Sequence, residues 1–175
     1  MQAQVLQTEH FKDGQYIERY KISNTNGFEI NLTNYGCTIM NILWPMENGN
    51  KLDILLGYDT VDQYIDDKNF FGATAGRCCN RIRNAKIKID EVDYKLTSNI
   101  GNHHLHGGTV GFDKKTWRAN IETQKGYTGV HMYVLSKNGD QGYPGNLSVE
   151  SFIGLNEENN IIIEYSATTD LPTIC

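Results

Sequence analysis

The side chains best suited to chemistry are concentrated in the run Asn102-His103-His104-Leu105-His106-Gly107-Gly108. Histidine donates and accepts hydrogen bonds and exchanges protons near neutral pH. The two glycines that follow permit a sharp turn and the close approach of a ligand. In an extended segment, His104 and His106 would lie on one side and His103 on the other. The run is either a binding site or a loop whose histidines have no special role.

A metal site is not expected at these histidines. Imidazole binds zinc, copper and nickel well, but no carboxylate or thiol stands at a matching spacing. The four cysteines, which are Cys37, Cys78, Cys79 and Cys175, lack the paired C-x-x-C spacing of zinc sites. Two of them are adjacent, which makes a poor disulfide framework. We therefore expect reduced thiols, as in a cytoplasmic protein.

A second polar group lies between Gly76 and Asn84 and contains Arg77, Arg81 and Arg83. Arginine offers a fixed fork of donors that suits hydroxyl-rich ligands and carboxylates. In a continuous strand the three arginines would share one face, either as a binding site or as a solvated edge. The adjacent cysteines within this group are interpreted as two small buried residues.

Two aromatic residues could stack on the apolar face of a sugar. One is Tyr143 in the loop 138–145, which carries two turn signals, and the other is Trp117. Either residue is more often part of the core. The sequence contains no Ser-His-Asp order, phosphate-binding glycine loop or dinucleotide fingerprint.

The elements that must position these residues are strands. Apolar and polar residues alternate in five segments, 28–33, 86–90, 130–135, 147–153 and 161–165, and alternation is typical of half-buried strands. Turn signals separate them at Asn26-Gly27, Asn48-Gly49, Asn138-Gly139 and Pro144-Gly145. One short helical turn is predicted at 59–64, capped by Asp59 or Thr60. This pattern predicts an all-β fold, an antiparallel β-sandwich or barrel, with helix below about one-tenth against the usual share of about a third.

Composition points to a globular protein with one domain, residues 1–175. Of the 175 residues, 39% are hydrophobic and 21% are charged. The net charge of −5 argues against nucleic acid and against anionic membrane as partners. No signal peptide and no membrane-spanning apolar run is visible. A cytoplasmic location is expected.

The last segment, 166–175, breaks the regular order of strands and turns. It follows a good strand and ends on Pro172-Thr173-Ile174-Cys175, with nothing that caps or covers that strand. An open sheet edge pairs readily with other chains. We therefore expect a chain truncated at its C-terminus, poorly stable and prone to self-association through the uncovered edge.

Taken in order, these segments resemble the aldose 1-epimerase (galactose mutarotase) family. Each motif alone is weak, but so many in the same order are specific, and they cover nearly the whole chain from about residue 14. The matching motifs are Asn34-Tyr35-Gly36-Cys37-Thr38-Ile39, Asp53-Ile54-Leu55-Leu56-Gly57-Tyr58, Phe71-Gly72-Ala73-Thr74-Ala75-Gly76-Arg77, Asn80-Arg81-Ile82, Asn102 to Gly108, Gly111-Phe112-Asp113-Lys114, Trp117, Gly142-Tyr143-Pro144-Gly145 and Glu164-Tyr165-Ser166-Ala167-Thr168-Thr169-Asp170.

The resemblance implies a large antiparallel β-sandwich that interconverts the α and β anomers of free hexoses such as galactose and glucose, with no metal and no cofactor. It implies that Arg81, with Asn80 beside it, and His106 bind the sugar. We expect Arg81 and His106 to lie together on one concave face. Arg77 and His104 receive no role from the resemblance.

The chain departs from the family at two places. Cys78 and Cys79 stand where small apolar residues are usual, a change that looks tolerable. The family's acid histidine, a sugar-binding aspartate and the base glutamate are expected beyond Cys175. Mutarotation needs an acid at the ring oxygen and a base at the anomeric hydroxyl, and losing one of the pair costs roughly 100- to 10,000-fold in rate. We therefore expect the chain alone to be inactive.

Two other interpretations stay open. The chain could be a non-catalytic, carbohydrate-binding relic of the same fold. It could instead be a structural module that is completed by another chain at the exposed sheet edge.

Overall fold

The computed structural model describes residues 1–12 and 14–175, with the side chains of residues 1–6 and 14–175. Strands dominate, and helix makes up 8% of the chain. Every strand pair in the described part of the chain is antiparallel. The predicted all-β class is therefore confirmed. No helix in these described residues has the length and apolar character needed to cross a membrane.

The first sheet contains five strands in sequence order, β1-β2-β3-β4-β5. They are β1 (Gln2–Lys12), β2 (Gln15–Ser23), β3 (Glu29–Thr33), β4 (Thr38–Pro45) and β5 (Lys51–Asp53). The predicted turns at Asn26-Gly27 and Asn48-Gly49 join β2 to β3 and β4 to β5. Both glycines have positive φ, +80° and +81°, which explains why glycine stands there.

A long excursion with little regular structure links the two main sheets. It contains α1 (Val61–Ile65), β6 (Arg81–Ile82), β7 (Lys86–Ile89), β8 (Val92–Lys95), β9 (His104–Leu105) and 3₁₀ turns at Arg83–Ala85 and Phe112–Lys114. Strand β7 pairs with β8, and β6 pairs with β9. Helix α1 begins after Thr60, as predicted, and the Thr60 amide donates to Gln63 Oε1 at 3.1 Å.

The second sheet contains four strands in the order β10-β11-β12-β13. They are β10 (Arg118–Gln124), β11 (Tyr127–Ser136), β12 (Leu147–Leu155) and β13 (Ile161–Thr169). A 3₁₀ turn at Asp140–Gly142 lies between β11 and β12. A turn at 156–160 joins β12 to β13, where the Asn156 amide donates to the Asn160 carbonyl at 3.1 Å.

The main core lies between the two sheets, which makes the fold a β-sandwich. Buried residues from both sheets form one cluster that includes Tyr20, Ile22, Ile30, Leu32, Val130, Met132, Val134, Val149 and Ile153. The predicted inward sides of segments 130–135 and 147–153 are confirmed by the burial of these residues. Burying one such side chain contributes about 1.5–3 kcal/mol, so the alternation fixes which face of each strand is inside.

Strand β3 departs from the predicted alternation because both of its faces are buried. Glu29 and Asn31 were expected on the outer side, yet they are only 5% and 6% exposed. The Glu29 carboxylate is held by Lys21 at 2.8 Å, by Lys51 at 2.7 Å and by the Asn31 amide at 3.2 Å. The flanking lysines therefore satisfy a carboxylate that the central position of β3 removes from water.

Strand β13 is an edge strand, and β12 is its one strand neighbour among the described residues. Ile163 and Tyr165 are 48% and 54% exposed. Within the described residues, no further strand covers this edge. Ile161, Ile163 and Tyr165 share one side of the strand, as expected. That side is partly buried at Ile161 and exposed at Ile163 and Tyr165.

Glu29 predicts how stability depends on pH. Burial of the carboxyl opposes ionisation, but hydrogen bonds from Lys21, Lys51 and Asn31 outweigh it and hold the pKa of Glu29 below its ordinary value. Ionised Glu29 therefore stabilises the folded protein at pH values above its unfolded pKa of about 4.3. This stabilisation is lost as the pH falls through the pKa of Glu29 in the folded protein.

We therefore predict that Glu29→Gln lowers the free energy of unfolding at pH 7 by about 1–3 kcal/mol, and that the difference shrinks below about pH 4. Urea unfolding at pH 7 and pH 3 measures this. Glu91→Gln is the control, because Glu91 pairs with Lys88 but its side chain is 90% exposed, and it should change stability by less than about 0.5 kcal/mol. An equal loss at both pH values for Glu29→Gln would contradict the account.

Candidate functional site

The pairing of β6 with β9 brings the two predicted site segments together. Arg81 lies opposite Leu105, and Ile82 lies opposite His104. The pairing continues one residue beyond the strands, where the His106 amide donates to the Asn80 carbonyl at 3.1 Å. Residues 26 positions apart in sequence therefore become neighbours across two short strands.

The three predicted sugar-binding residues are linked by hydrogen bonds through Asn80. The Asn80 backbone N–H donates to His106 Nδ1 at 3.0 Å. Asn80 Oδ1 accepts from the Arg81 amide at 2.9 Å and from the Arg81 guanidinium at 3.4 Å. Asn80 and Arg81 are exposed and His106 is partly buried. Asn80, Arg81 and His106 form a surface cluster of polar groups, which we call the Arg81 cluster.

The backbone around this cluster is not extended, and one side-chain prediction is wrong for that reason. Asn80 and His106 have φ values of +62° and +50°, and Gly107 follows at +90°. Because the chain turns at His106, that residue does not share the side of His104. The expected pattern applied to an extended segment, and β9 ends at Leu105.

His104 is a core residue. It is completely buried, its Nδ1 lies 2.7 Å from the Thr97 carbonyl and its Nε2 lies 2.7 Å from the Tyr143 hydroxyl. Burial lowers the pKa of His104, although the bond to Thr97 works in the opposite direction. With both ring nitrogens engaged, His104 supports the fold and has no free group for a ligand.

His103 also serves the backbone. Its Nδ1 accepts from the Asn84 amide at 3.0 Å, and its own main chain forms an isolated bridge with Ile100. This contact fixes the turn of 83–85 against the histidine segment. Of the three histidines in the run, only His106 belongs to the Arg81 cluster.

The arginines do not share one face, so that expectation is wrong. Arg77 is only 4% exposed, whereas Arg81 and Arg83 are exposed. Strand β6 is two residues long, and Asn84, with φ of +55°, breaks the backbone after it.

Arg77 is a structural residue of the loop that follows β11. Its guanidinium donates to Ser136 Oγ and to the carbonyls of Ser136, Pro144 and Gly145 at 2.8–2.9 Å. These bonds hold the loop 137–146 against the excursion. A buried cation whose N–H groups are all directed at acceptors is stable only where those acceptors stay in place.

The interpretation of the neighbouring cysteines as two small buried residues is wrong for one of them. Cys78 is partly buried, but Cys79 is exposed. All four cysteines are free thiols. Within the part of the chain that is described, no three His, Cys, Asp or Glu side chains are grouped to hold a metal ion.

The two candidate stacking residues lie in the core. Trp117 is fully buried and its Nε1 donates to the Phe112 carbonyl at 3.1 Å. Tyr143 is 1% exposed and meets His104 edge to face. Neither ring is available to a sugar at the surface, and the core interpretation is the correct one.

Phe70 is a neighbour of the site that the sequence did not reveal. Its ring centroid lies 4.7 Å from that of His106, with the ring planes tilted by 53°. Phe70 has a φ of +61°, an unusual value for a bulky residue. Sequence alone gives no signal for it, since the pairing of 70 with 106 depends on the path of the excursion.

The surroundings of His106 favour its neutral form. Partial burial of the imidazole, and next the positive charge of Arg81, lower its pKa below the ordinary value. The cluster therefore offers a cationic guanidinium and an uncharged imidazole, and both can donate hydrogen bonds.

Comparison with known sequences places these features in one family. The sequence profile of aldose 1-epimerase matches residues 18–175. The aldose 1-epimerase of Haemophilus influenzae is 37% identical over 161 residues, which are 92% of this chain and 46% of the relative. The aldose 1-epimerase of Escherichia coli (strain K12) is 34% identical over 160 residues, which are 91% of this chain and 45% of the relative. The galactose mutarotase of Homo sapiens is 30% identical over 160 residues, and this again covers 91% of this chain and 45% of the relative. The chain spans about half the length of these relatives.

Solved structures agree with the sequences. A galactose 1-epimerase from Lactobacillus acidophilus superposes with a TM-score of 0.87 at 26% identity, covering 98% of this chain and 50% of that one. An aldose epimerase homologue from C. elegans superposes with a TM-score of 0.80 at 33% identity, covering 87% and 46%.

The close approach of two backbones at Gly107 predicts a large effect of a small substitution. A Cβ at Gly107 would lie 1.6 Å from the Gly76 carbonyl oxygen, and its φ is already positive. We predict that Gly107→Ala lowers the free energy of unfolding by at least about 3 kcal/mol. Gly101→Ala is the control, because Gly101 also has positive φ but no atom within 4 Å, and it should cost about 1 kcal/mol. Urea unfolding of both variants measures this, and equal losses would contradict the packing described here.

Proposed function

Because the chain belongs to the aldose 1-epimerase family, we propose that it carries the sugar-binding half of a site that interconverts the α and β anomers of free hexoses such as galactose and glucose. The observation that supports this most directly is the Arg81 cluster. Asn80, Arg81 and His106 match the sugar-binding positions expected from the family motifs, and the fold joins all three through hydrogen bonds.

The chemistry of the cluster suits the oxygens of a neutral sugar. Arg81 and His106 offer N–H donors at an exposed surface, and hydroxyl and ring oxygens accept such bonds. Where a bound sugar shields these donors from water, a donor left unpaired costs roughly 1–3 kcal/mol, so each donor contributes to selectivity. No cofactor and no metal enters the proposal.

The two proton-transfer groups are proposed to lie in the half of the family fold that this chain does not span. An acid must reach the ring oxygen while a base takes the proton of the anomeric hydroxyl, on opposite sides of the anomeric carbon. Within the described chain, His104 has both ring nitrogens engaged and His103 supports the backbone. Neither is a substitute for the acid or the base.

The organisation of the chain fits one domain, and we propose that 1–175 behave as one unit of the larger sandwich. The excursion packs on the sheets through two further clusters. One joins Val61 and Tyr64 of α1 to Ile17 and Met40. The other joins Ala85 and Leu96 to Tyr143.

The four free thiols support a reducing location, for which the cytoplasm is our proposal.

A structural role is the second candidate, favoured by the uncovered edge at β13. This strand pairs without a register shift to β12 over nine residues, and it presents Ile163 and Tyr165 half exposed. An apolar edge strand without a bulge or register shift pairs readily with a further strand. The relic hypothesis, a sugar-binding protein without catalysis, differs from the leading proposal only in activity of the whole protein.

We predict that the 175-residue chain alone accelerates mutarotation little or not at all. Polarimetry on fresh α-glucose and α-galactose measures the rate, and the aldose 1-epimerase of Escherichia coli serves as the positive control in the same assay. The expected rate is close to the spontaneous one, because one missing acid or base costs roughly 100- to 10,000-fold. Acceleration comparable to that of the control would show that the acid and base lie within these residues.

We also predict that the chain self-associates through β13. Light scattering should give a mass above that of the monomer, and Ile163→Lys should restore the monomer by placing a charge on the edge. Leu135→Lys is the matched control, since Leu135 is 41% exposed but lies on the central strand β11. A monomeric parent chain, or equal association of both variants, would contradict the proposal.

A further inference from the structure

The imidazole of His106 is fixed from two directions. The Asn80 N–H donates to Nδ1 at 3.0 Å, while the Asn80 carbonyl accepts from the His106 amide at 3.1 Å. The Phe70 ring lies against the imidazole with a centroid separation of 4.7 Å. The ring is therefore bound in its plane and supported on its side.

This arrangement selects one tautomer of His106. A backbone N–H can only donate, so Nδ1 must be an acceptor without a proton. A neutral imidazole then carries its proton on Nε2. Nε2 has no hydrogen-bond partner among the described residues. It is the ring atom that remains for a ligand.

The cationic form is disfavoured by the same neighbours. A second proton would stand on Nδ1 and face the Asn80 N–H, and Arg81 adds a positive charge beside it. His106 is thus a hydrogen-bond donor and is unsuited to accept a proton at Nδ1.

Phe70 has a well-defined position of its own. The Asp67 carboxylate accepts from the Asn69 amide at 2.7 Å and from the Phe71 amide at 3.3 Å, and these bonds fix the loop after α1. Phe70 is held at a positive φ of +61° between them. Residues kept in such sparsely populated backbone conformations are concentrated at functional sites.

We propose that Phe70 is a positioning residue that holds the His106 imidazole so that Nε2–H donates to an oxygen of the bound sugar. This inference rests on the proposed function and deepens it, because it defines how the ligand is recognised. With Arg81 also a donor only, the Arg81 cluster binds sugar oxygens as acceptors. His106 binds and orients the sugar and does not act as the base.

Nitrogen-15 NMR of the histidine rings in the sugar-free chain tests the proposal. At pH 7 His106 should show a protonated Nε2 and a bare Nδ1, with well-separated nitrogen signals. Phe70→Leu should move the two signals towards each other, as the ring samples both tautomers. Phe70→Tyr, which keeps the aromatic face, should restore the separation.

Phe71→Leu is the matched control. Phe71 packs against Tyr58 in the cluster around α1, so its loss weakens the fold without touching His106. Its His106 signals should match those of the parent chain. A parent chain with a proton on Nδ1, or a Phe70→Leu variant with unchanged signals, would overturn the proposal.

Addition of galactose separates this inference from the proposed function. In the parent chain, galactose should shift the signals of Asn80, Arg81 and His106, and Phe70→Leu should weaken binding on the order of tenfold by loss of preorganisation. If galactose shifts none of these signals while the tautomer is as described, the proposed function fails and the positioning of His106 stands. If binding is unchanged in Phe70→Leu, the positioning role is wrong.

Discussion

The close contact between the backbones at Gly76 and Gly107 determines the arrangement of the functional site. No side chain fits between them, since a Cβ on Gly107 would overlap the Gly76 carbonyl and a Cβ on Gly76 would overlap the Phe112 ring. The contact closes the excursion between the two sheets. It sets Asn80 against His106, and the pairing of β6 with β9 follows from it. Two strands of two residues each are too short to define this geometry alone.

The neighbouring Arg77 makes the closed excursion rigid. Its buried guanidinium donates to the loop between β11 and β12, which ties the second sheet to the segment that carries Arg81. His104 and Tyr143 add a second buried link to the same loop. The polar motif that looks most like a ligand site in sequence therefore has two parts. Its buried groups maintain the scaffold, while Asn80, Arg81 and His106 remain at the surface.

Much of the fold could be predicted from sequence because two-residue alternation directly encodes which side of a strand is buried. Val130, Met132 and Val134 illustrate this, as do the glycines of the Asn-Gly turns. The burial of Glu29 could not be predicted, because it depends on lysines from β2 and β5 that reach the carboxylate only after the sheet forms.

The site was predictable only in part. The identities of Asn80, Arg81 and His106 followed from motif resemblance, which carries information that spacing does not. Arg77 and Arg83 were misplaced because the segment was treated as one strand, whereas positive φ at Asn80 and Asn84 turns the chain. Phe70 was missed because its contact with His106 joins distant segments and leaves no local pattern.

The proposed function depends on where a free hexose binds. A crystal structure of the chain grown with galactose is the most direct measurement. We predict a sugar oxygen within about 2.7–3.2 Å of His106 Nε2 and another within the same range of the Arg81 guanidinium. A sugar bound elsewhere, for example in the cleft of about 450 Å³ lined by Ala73, Tyr165 and Cys175, with the Arg81 cluster untouched, would contradict it.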